Sequence, residues 1–265
     1  MHSSRETKLL NTLSVVLVLA GGALRAVRDS ISSVNTNTLI GVLLLVADFI
    51  WIWQVRRRLI RPLEQGYLTA AALLVASLTV LRTVKYVFLP ADSAAARYTW
   101  YLYYVPQTFA ILLLFFAVLH IGRPYGAPPD RRVRLLYIPA VLLCAGILTN
   151  DFHQLAFRFS GGVAAWEDGA PSTHGPRYTA ALVWMVAFFT VMLTIALTRC
   201  AVSENRKNLW LPLLPLCFGG VYCALYLFAP GSPLIAVFKV PEVVCFVLPA
   251  FLEGLILAGL FPQND

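Results

Sequence analysis

The chain has 265 residues, 59% of them hydrophobic and only 13% charged, and its mean hydropathy is +0.73. A soluble globular domain carries about 45–50% apolar and about 25% charged residues, so the composition excludes one and describes a polytopic membrane protein. The net charge of +8 would point to nucleic acid in a soluble chain; here Lys and Arg fall between apolar runs, where they report orientation, and nucleic-acid binding is set aside.

Runs able to form spans of roughly 17–25 residues lie near 9–26, 39–55, 67–89, 98–121, 135–148, 178–201, 209–228 and 240–261. The first begins after Arg5 and Lys8 and ends in the small-residue frame Ala23-Leu24-Arg25-Ala26. That frame resembles a signal-peptide cleavage site, but an arginine within it disfavours cleavage, so an uncleaved helix is the preferred reading. The expected fold is all-α. A polytopic transmembrane bundle with a seven-helix core at 38–261 follows one extra N-terminal helix and its connector in 1–37, and a cytoplasmic connector begins at 262–265.

Basic connectors set the orientation. Arg56, Arg57, Arg58 and Arg61 follow the second run, Arg123, Arg131, Arg132 and Arg134 the fourth, and Arg199, Arg206 and Lys207 the sixth. By parity all lie on one side, which the positive-inside rule makes cytoplasmic. Both termini are then cytoplasmic, provided the first run spans; Arg25, Arg28 and Lys239 oppose the scheme. If the first run is cleaved or lies on the surface, seven helices remain. The five cysteines, Cys144, Cys200, Cys217, Cys223 and Cys245, lie in or beside apolar runs and imply no disulfide framework.

The stretch 97–122, RYTWYLYYVPQTFAILLLFFAVLHIG, has two unlike halves. Its second half is ordinary lipid-soluble helix. Its first carries Tyr98, Trp100, Tyr101, Tyr103, Tyr104 and Pro106, more polar-tipped rings than an interfacial belt needs, and a proline that deprives the Leu102 carbonyl of its amide partner. This half is read as one wall of an outward-facing polar cavity. Arg82, Lys85 and Tyr86 close the third run at the same level, and Asn150, Asp151, His153 and Gln154 follow the fifth. The long connector 150–177 is extracytoplasmic in this scheme, and its alternation at Leu155, Phe157 and Phe159 before Gly161-Gly162 is consistent with a short strand and turn.

The expected ligand-binding residues are Arg82, Lys85, Tyr101, Tyr104, Asp151 and His153. Arg82 lies about two turns inside its helix end, where a charge needs a partner or water; Asp151 or an anionic ligand group is expected to supply it. Snorkelling to head groups is the plain alternative, stronger for Lys85 and Arg97 than for Arg82. Asp151 and His153 alone fall short of a metal set, and no metal or cofactor is expected. Asp48 and Glu253 lie deeper, as intramembrane acids that invite a functional reading, and Pro249 one turn before Glu253 makes the last helix a hinge; these three are the expected signal relay. HExxH, GxSxG and Walker A patterns are absent from the sequence.

VRRRLI (55–60), LRTVKYVF (81–88), RYTWYLYYVP (97–106), LLYIPAVLLCAGILTNDFHQLAFRF (135–159), NLWLPLLPL (208–216) and FLEGLILAGLFPQN (251–264) together resemble the seven-transmembrane sensor region at the N-terminus of bacterial histidine kinases. LTNDFHQLAF and RYTWYLYYVP are the most specific of them. The resemblance implies a membrane signal receptor that detects a ligand or membrane state from outside and relays it through its last helix. No histidine of this sequence stands in a phosphoacceptor context and no nucleotide-binding glycine motif follows, so the expectation is a non-enzymatic sensor part acting on a cytoplasmic kinase or other output module, alone or as a homodimer in the lipid bilayer. A small transporter or channel, and a structural membrane partner subunit, are the alternatives.

Overall fold

A computed structural model describes residues 2–26, 33–124, 131–168, 172–199, 208, 210–229 and 231–261. Arg28, Cys200, Arg206, Lys207, the 262–265 connector and the side chain of Arg25 lie outside the described residues. Every apolar run forms helix: α1 (His2–Ala26), α2 (Ser33–Arg58), α3 (Pro62–Phe88), α4 (Ala94–Leu102), α5 (Tyr104–Val118), α6 (Tyr137–Leu148), α8 (Pro176–Arg199), α9 (Trp210–Phe228) and α11 (Val240–Leu257). Short helices α7 (Asn150–His153) and α10 (Pro233–Val237) and a 3-10 turn (Arg131–Leu136) sit in connectors. The segments 36–58, 62–88, 94–118 and 176–199 are long and apolar enough to cross a membrane, and Leu9–Leu24 and Trp210–Tyr226 are shorter apolar helices.

Local chemistry sets the boundaries. Pro62 occupies the first turn of α3, where its missing N–H costs nothing. Ser93 caps α4 by accepting from the Ala96 amide at 3.1 Å. At the α4–α5 joint, three residues before Pro106, the helix tightens: the Tyr103 amide bonds back three residues to the Trp100 carbonyl at 3.2 Å, while Tyr103 keeps right-handed helical angles. One helical column therefore continues through the proline.

That column is the centre of the bundle, with 72% of its most apolar window buried against 17% for α8. α1 packs on α2, α2 on α3, α3 on α5, and α11 on both α9 and α3. At Gly254 the backbones of α9 and α11 meet with no side chain between them: a Cβ there would lie 2.6 Å from the Pro212 nitrogen.

The connector after α6 folds back as a small antiparallel ribbon, β1 (Phe157–Phe159) with β2 (Ser172–His174), pairing Phe157 with His174. The expected strand thus forms, but its partner comes from the far end of the connector instead of across a tight Gly161-Gly162 turn. Gly175 closes the ribbon, because a Cβ there would strike the Leu155 carbonyl at 2.2 Å.

Candidate functional site: a lid and a polar ladder

The connector forms a lid over the aromatic half of the central column. Trp100, Tyr101, Phe157, Phe159 and Trp166 pack as one cluster, with the Tyr101 and Phe157 rings stacked at 6.1 Å and the Trp100 and Trp166 rings at 6.5 Å. Tyr101 is fully buried. Its hydroxyl donates to Asp151 Oδ1 at 2.9 Å and accepts from Asn150 Nδ2 at 3.2 Å. Asn150 is the organiser of the lid: its Oδ1 accepts from the Ala156 and Phe157 amides at 2.9 and 3.0 Å and its Nδ2 donates to the Phe157 carbonyl at 2.9 Å.

Ion pairs pin the lid to the helices. Arg97 donates through Nη2 to Asp151 Oδ2 at 2.9 Å and through Nη1 to the Val163 carbonyl at 3.1 Å. Lys85, in the last turn of α3, bonds Asp168, whose own amide donates to the Ala91 carbonyl at 3.0 Å. Trp166 lies between the two cations, 5.8 Å from the Arg97 guanidinium and 6.0 Å from the Lys85 ammonium. At the margin, Arg177 Nη1 approaches His153 Nε2 at 2.5 Å and also donates to the Gly146 carbonyl at 3.0 Å. Desolvation, with the Arg177 charge, holds His153 below its ordinary pKa, and desolvation does the same for His174.

Beneath the lid, polar groups at three depths join α11 to its neighbours. Outermost, Arg82 Nε and Nη2 bond Glu242 Oε1 at 3.0 and 2.9 Å, while Nη1 and Nη2 donate to the Asn37 carbonyl and Oδ1 at 3.2 and 3.1 Å. Glu242 Oε2 accepts from the Lys239 amide at 3.0 Å, so the same carboxylate starts α11 and neutralises Arg82. In the middle, Thr79 donates to Asp48 Oδ2 at 2.8 Å and lies 3.2 Å from Cys245 Sγ. Innermost, Glu253 Oε1 accepts from Arg58 Nη1 at 2.5 Å and from Asn11 Nδ2 at 2.7 Å.

This geometry corrects one expected pairing. Arg82 is held by Glu242 and Asn37, and Asp151 by Arg97 and Tyr101. The six candidate ligand residues consequently fall into separate settings: Tyr101 and Asp151 are bonded under the lid, Tyr104 packs on Phe157 and Tyr178, His153 sits at the margin, Lys85 holds Asp168, and Arg82 belongs to the ladder. Asn37, Asp168 and Glu242 were not singled out from the sequence. Glu242 had a legible signal, three residues after Lys239 and at the start of an apolar run, the position of a helix N3 acid. Among the described residues no group of three or more His, Cys, Asp or Glu side chains could hold a metal.

Residues 37–261 match the family model of the N-terminal 7TM region of histidine kinases. The chain belongs to that family. Comparison with curated proteins and with solved structures gives no match. The match covers the lid and all of the ladder except Asn11 of α1, and identifies both as parts of a membrane sensor region; no kinase domain is matched within the chain.

Proposed function

We propose that this 7TM sensor region takes its input at the lid and passes it through α3 to α11, the last helix, for a cytoplasmic kinase module to read. The observation that carries the proposal is the placement of two cations on α3. Lys85 holds the lid through Asp168, and Arg82, three residues earlier and on the same helix face, holds α11 through Glu242. A ligand that displaces Asp168 or Asp151 from its cation changes what α3 is bonded to, and α3 is bonded to the last helix. Input residues are Lys85, Tyr101, Tyr104, Asp151 and His153, with Arg82 as the coupling residue; Asp48, Pro249 and Glu253 carry the change inward along α11.

The orientation rests on the basic end. Arg61 Nη1 reaches the His120 carbonyl at 3.5 Å, and Arg199 Nη1 reaches the Leu119 carbonyl at 2.7 Å and the Ile121 carbonyl at 3.2 Å, so basic residues of three connectors gather at one end. We take that end as cytoplasmic. Seven helices then span, α1 adds an eighth, and both termini face the cytoplasm.

Fusion of the chain to a reporter histidine-kinase core tests the reading. Asp168→Ala, which frees the lid, and Glu253→Gln, which loosens the inner end of α11, should each shift basal kinase output several-fold at normal membrane levels. Output equal to the parent in both, with normal accumulation, would show that neither the lid nor the ladder lies on the signal route.

A further inference from the structure

We infer that a cleft at the basic end of the bundle, between the start of α3, the end of α5 and the Arg131–Leu136 turn, binds an anionic lipid headgroup, its phosphate through Arg123 and Arg134 and a headgroup hydroxyl through His120. The cleft is open to solvent. Tyr67, Phe116 and Val133 line it beside those three residues.

His120 is only 6% exposed. Its Nδ1 lies 2.8 Å from the Phe116 carbonyl, an acceptor, so Nδ1 carries a hydrogen. Nε2 is buried and has no hydrogen-bond partner among the described residues. A buried polar atom at the wall of a cleft marks a place for a ligand atom, because leaving it unbonded costs about 1–3 kcal/mol.

Charge selects the ligand. Arg58, Arg61, Arg82 and Arg97 each hold a carboxylate, and Arg199 is engaged by carbonyls. Arg123 and Arg134, which face the cleft, have no carboxylate partner among the described residues. The nearby acid, Glu64, is bonded to Arg61 through Oε1 at 3.1 Å. Two guanidinium groups are a donor set for phosphate, and with the ring hydrogen on Nδ1 the bare His120 Nε2 is an acceptor for a headgroup hydroxyl of the kind phosphatidylglycerol carries. The remaining wall, Phe116, Val133 and the Tyr67 ring 5.7 Å from Phe116, is apolar, which suits the glycerol and upper acyl segments of a lipid and offers nothing to free phosphate.

The assignment of the lipid to the cytoplasmic leaflet rests on the orientation proposed above, whereas lipid retained by purified protein reports on the cleft in either orientation. The full chain purified from membranes of mixed phosphatidylglycerol and phosphatidylcholine, with bound lipid read by native mass spectrometry, should retain phosphatidylglycerol preferentially. The double variant Arg123→Ala, Arg134→Ala should retain about tenfold less, having lost two charge-assisted contacts, whereas Arg123→Lys, Arg134→Lys should keep most of the parent's lipid. Arg56→Ala with Arg57→Ala, on the same end but outside the cleft, should lower retention by roughly twofold or less. Equal retention of the two lipids, or an equal loss in the Arg56 and Arg57 control, overturns the site. Millimolar inorganic phosphate that strips the lipid and raises Tm on its own overturns the lipid as occupant. If the double alanine variant does not accumulate, His120→Phe decides: unchanged retention refutes the site.

Discussion

The lid and the ladder use the same bond, an arginine or lysine on a carboxylate, in two different settings. In the outermost ladder pair, Arg82 and Glu242 expose 0% and 4% of their side chains; under the lid, Arg97 and Asp151 expose 10% and 13%, and Asp168 exposes 29% while Lys85 exposes 2%. Water can reach Arg97, Asp151 and Asp168 if their partners are lost and cannot reach Arg82. On the proposed input route, releasing Asp151 or Asp168 therefore costs less than separating Arg82 from Glu242.

The largest effect should come from unbalancing the ladder. Arg82→Met or Glu242→Leu alone strands a buried charge and should cost about 3–5 kcal/mol of stability in detergent, and the double variant should regain part of the loss. Additive losses in a thermal unfolding cycle would mean that the two side chains are not coupled, and the contrast between ladder and lid would collapse.

A smaller and asymmetric effect is expected at Lys85 and Asp168. Asp168→Ala leaves an ammonium that is 2% exposed without its acid, whereas Lys85→Met leaves a carboxylate that is already 29% exposed. The aspartate variant should therefore be the less stable of the two, by roughly 1–2 kcal/mol, and its lid should be cut faster by protease. Equal losses would place both groups in water and remove the distinction.

The mildest test is pH. His153 and His174 are held below the ordinary imidazole value of 6.5 in the folded lid, so the folded state binds fewer protons than the unfolded one. Lid stability from this source is fully present above 6.5 and declines as pH falls through the lower folded values. Protection of the 150–177 segment from proteolysis should fall on acidification below 6.5, and His153→Gln should flatten that dependence. An unchanged pH profile would assign the lid's protection to its ion pairs and rings.

Much of this arrangement was legible in the residues. Apolar runs gave the helices, since length and hydropathy are local properties, and the crowded rings of 97–106 marked the column that the lid covers. The pairings were not legible. Arg82 is 160 positions from Glu242, and depth alone shows that a buried cation needs a partner without showing which of several acids the chain brings to it. Asp168 follows the same rule, because a loop's route over a surface is set by rings such as Trp166 packing on Trp100. Asn150 was grouped with its polar neighbours, yet its work is internal to the lid, where its side chain bonds the Ala156 and Phe157 backbone.

The bare contact at Gly254 sets the kind of motion α11 is able to make. Backbone atoms of Leu211 and Pro212 touch the place where a Cβ would be, so the last helix has a fulcrum there. Glu242 lies roughly 18 Å along the helix to one side of it and Leu257 roughly 4.5 Å to the other, at a rise of about 1.5 Å per residue. On the relay proposed above, a helix pivoted so far off centre is a reducing lever: a displacement at the lid end reaches the opposite end about four times smaller, reversed in direction and correspondingly greater in force.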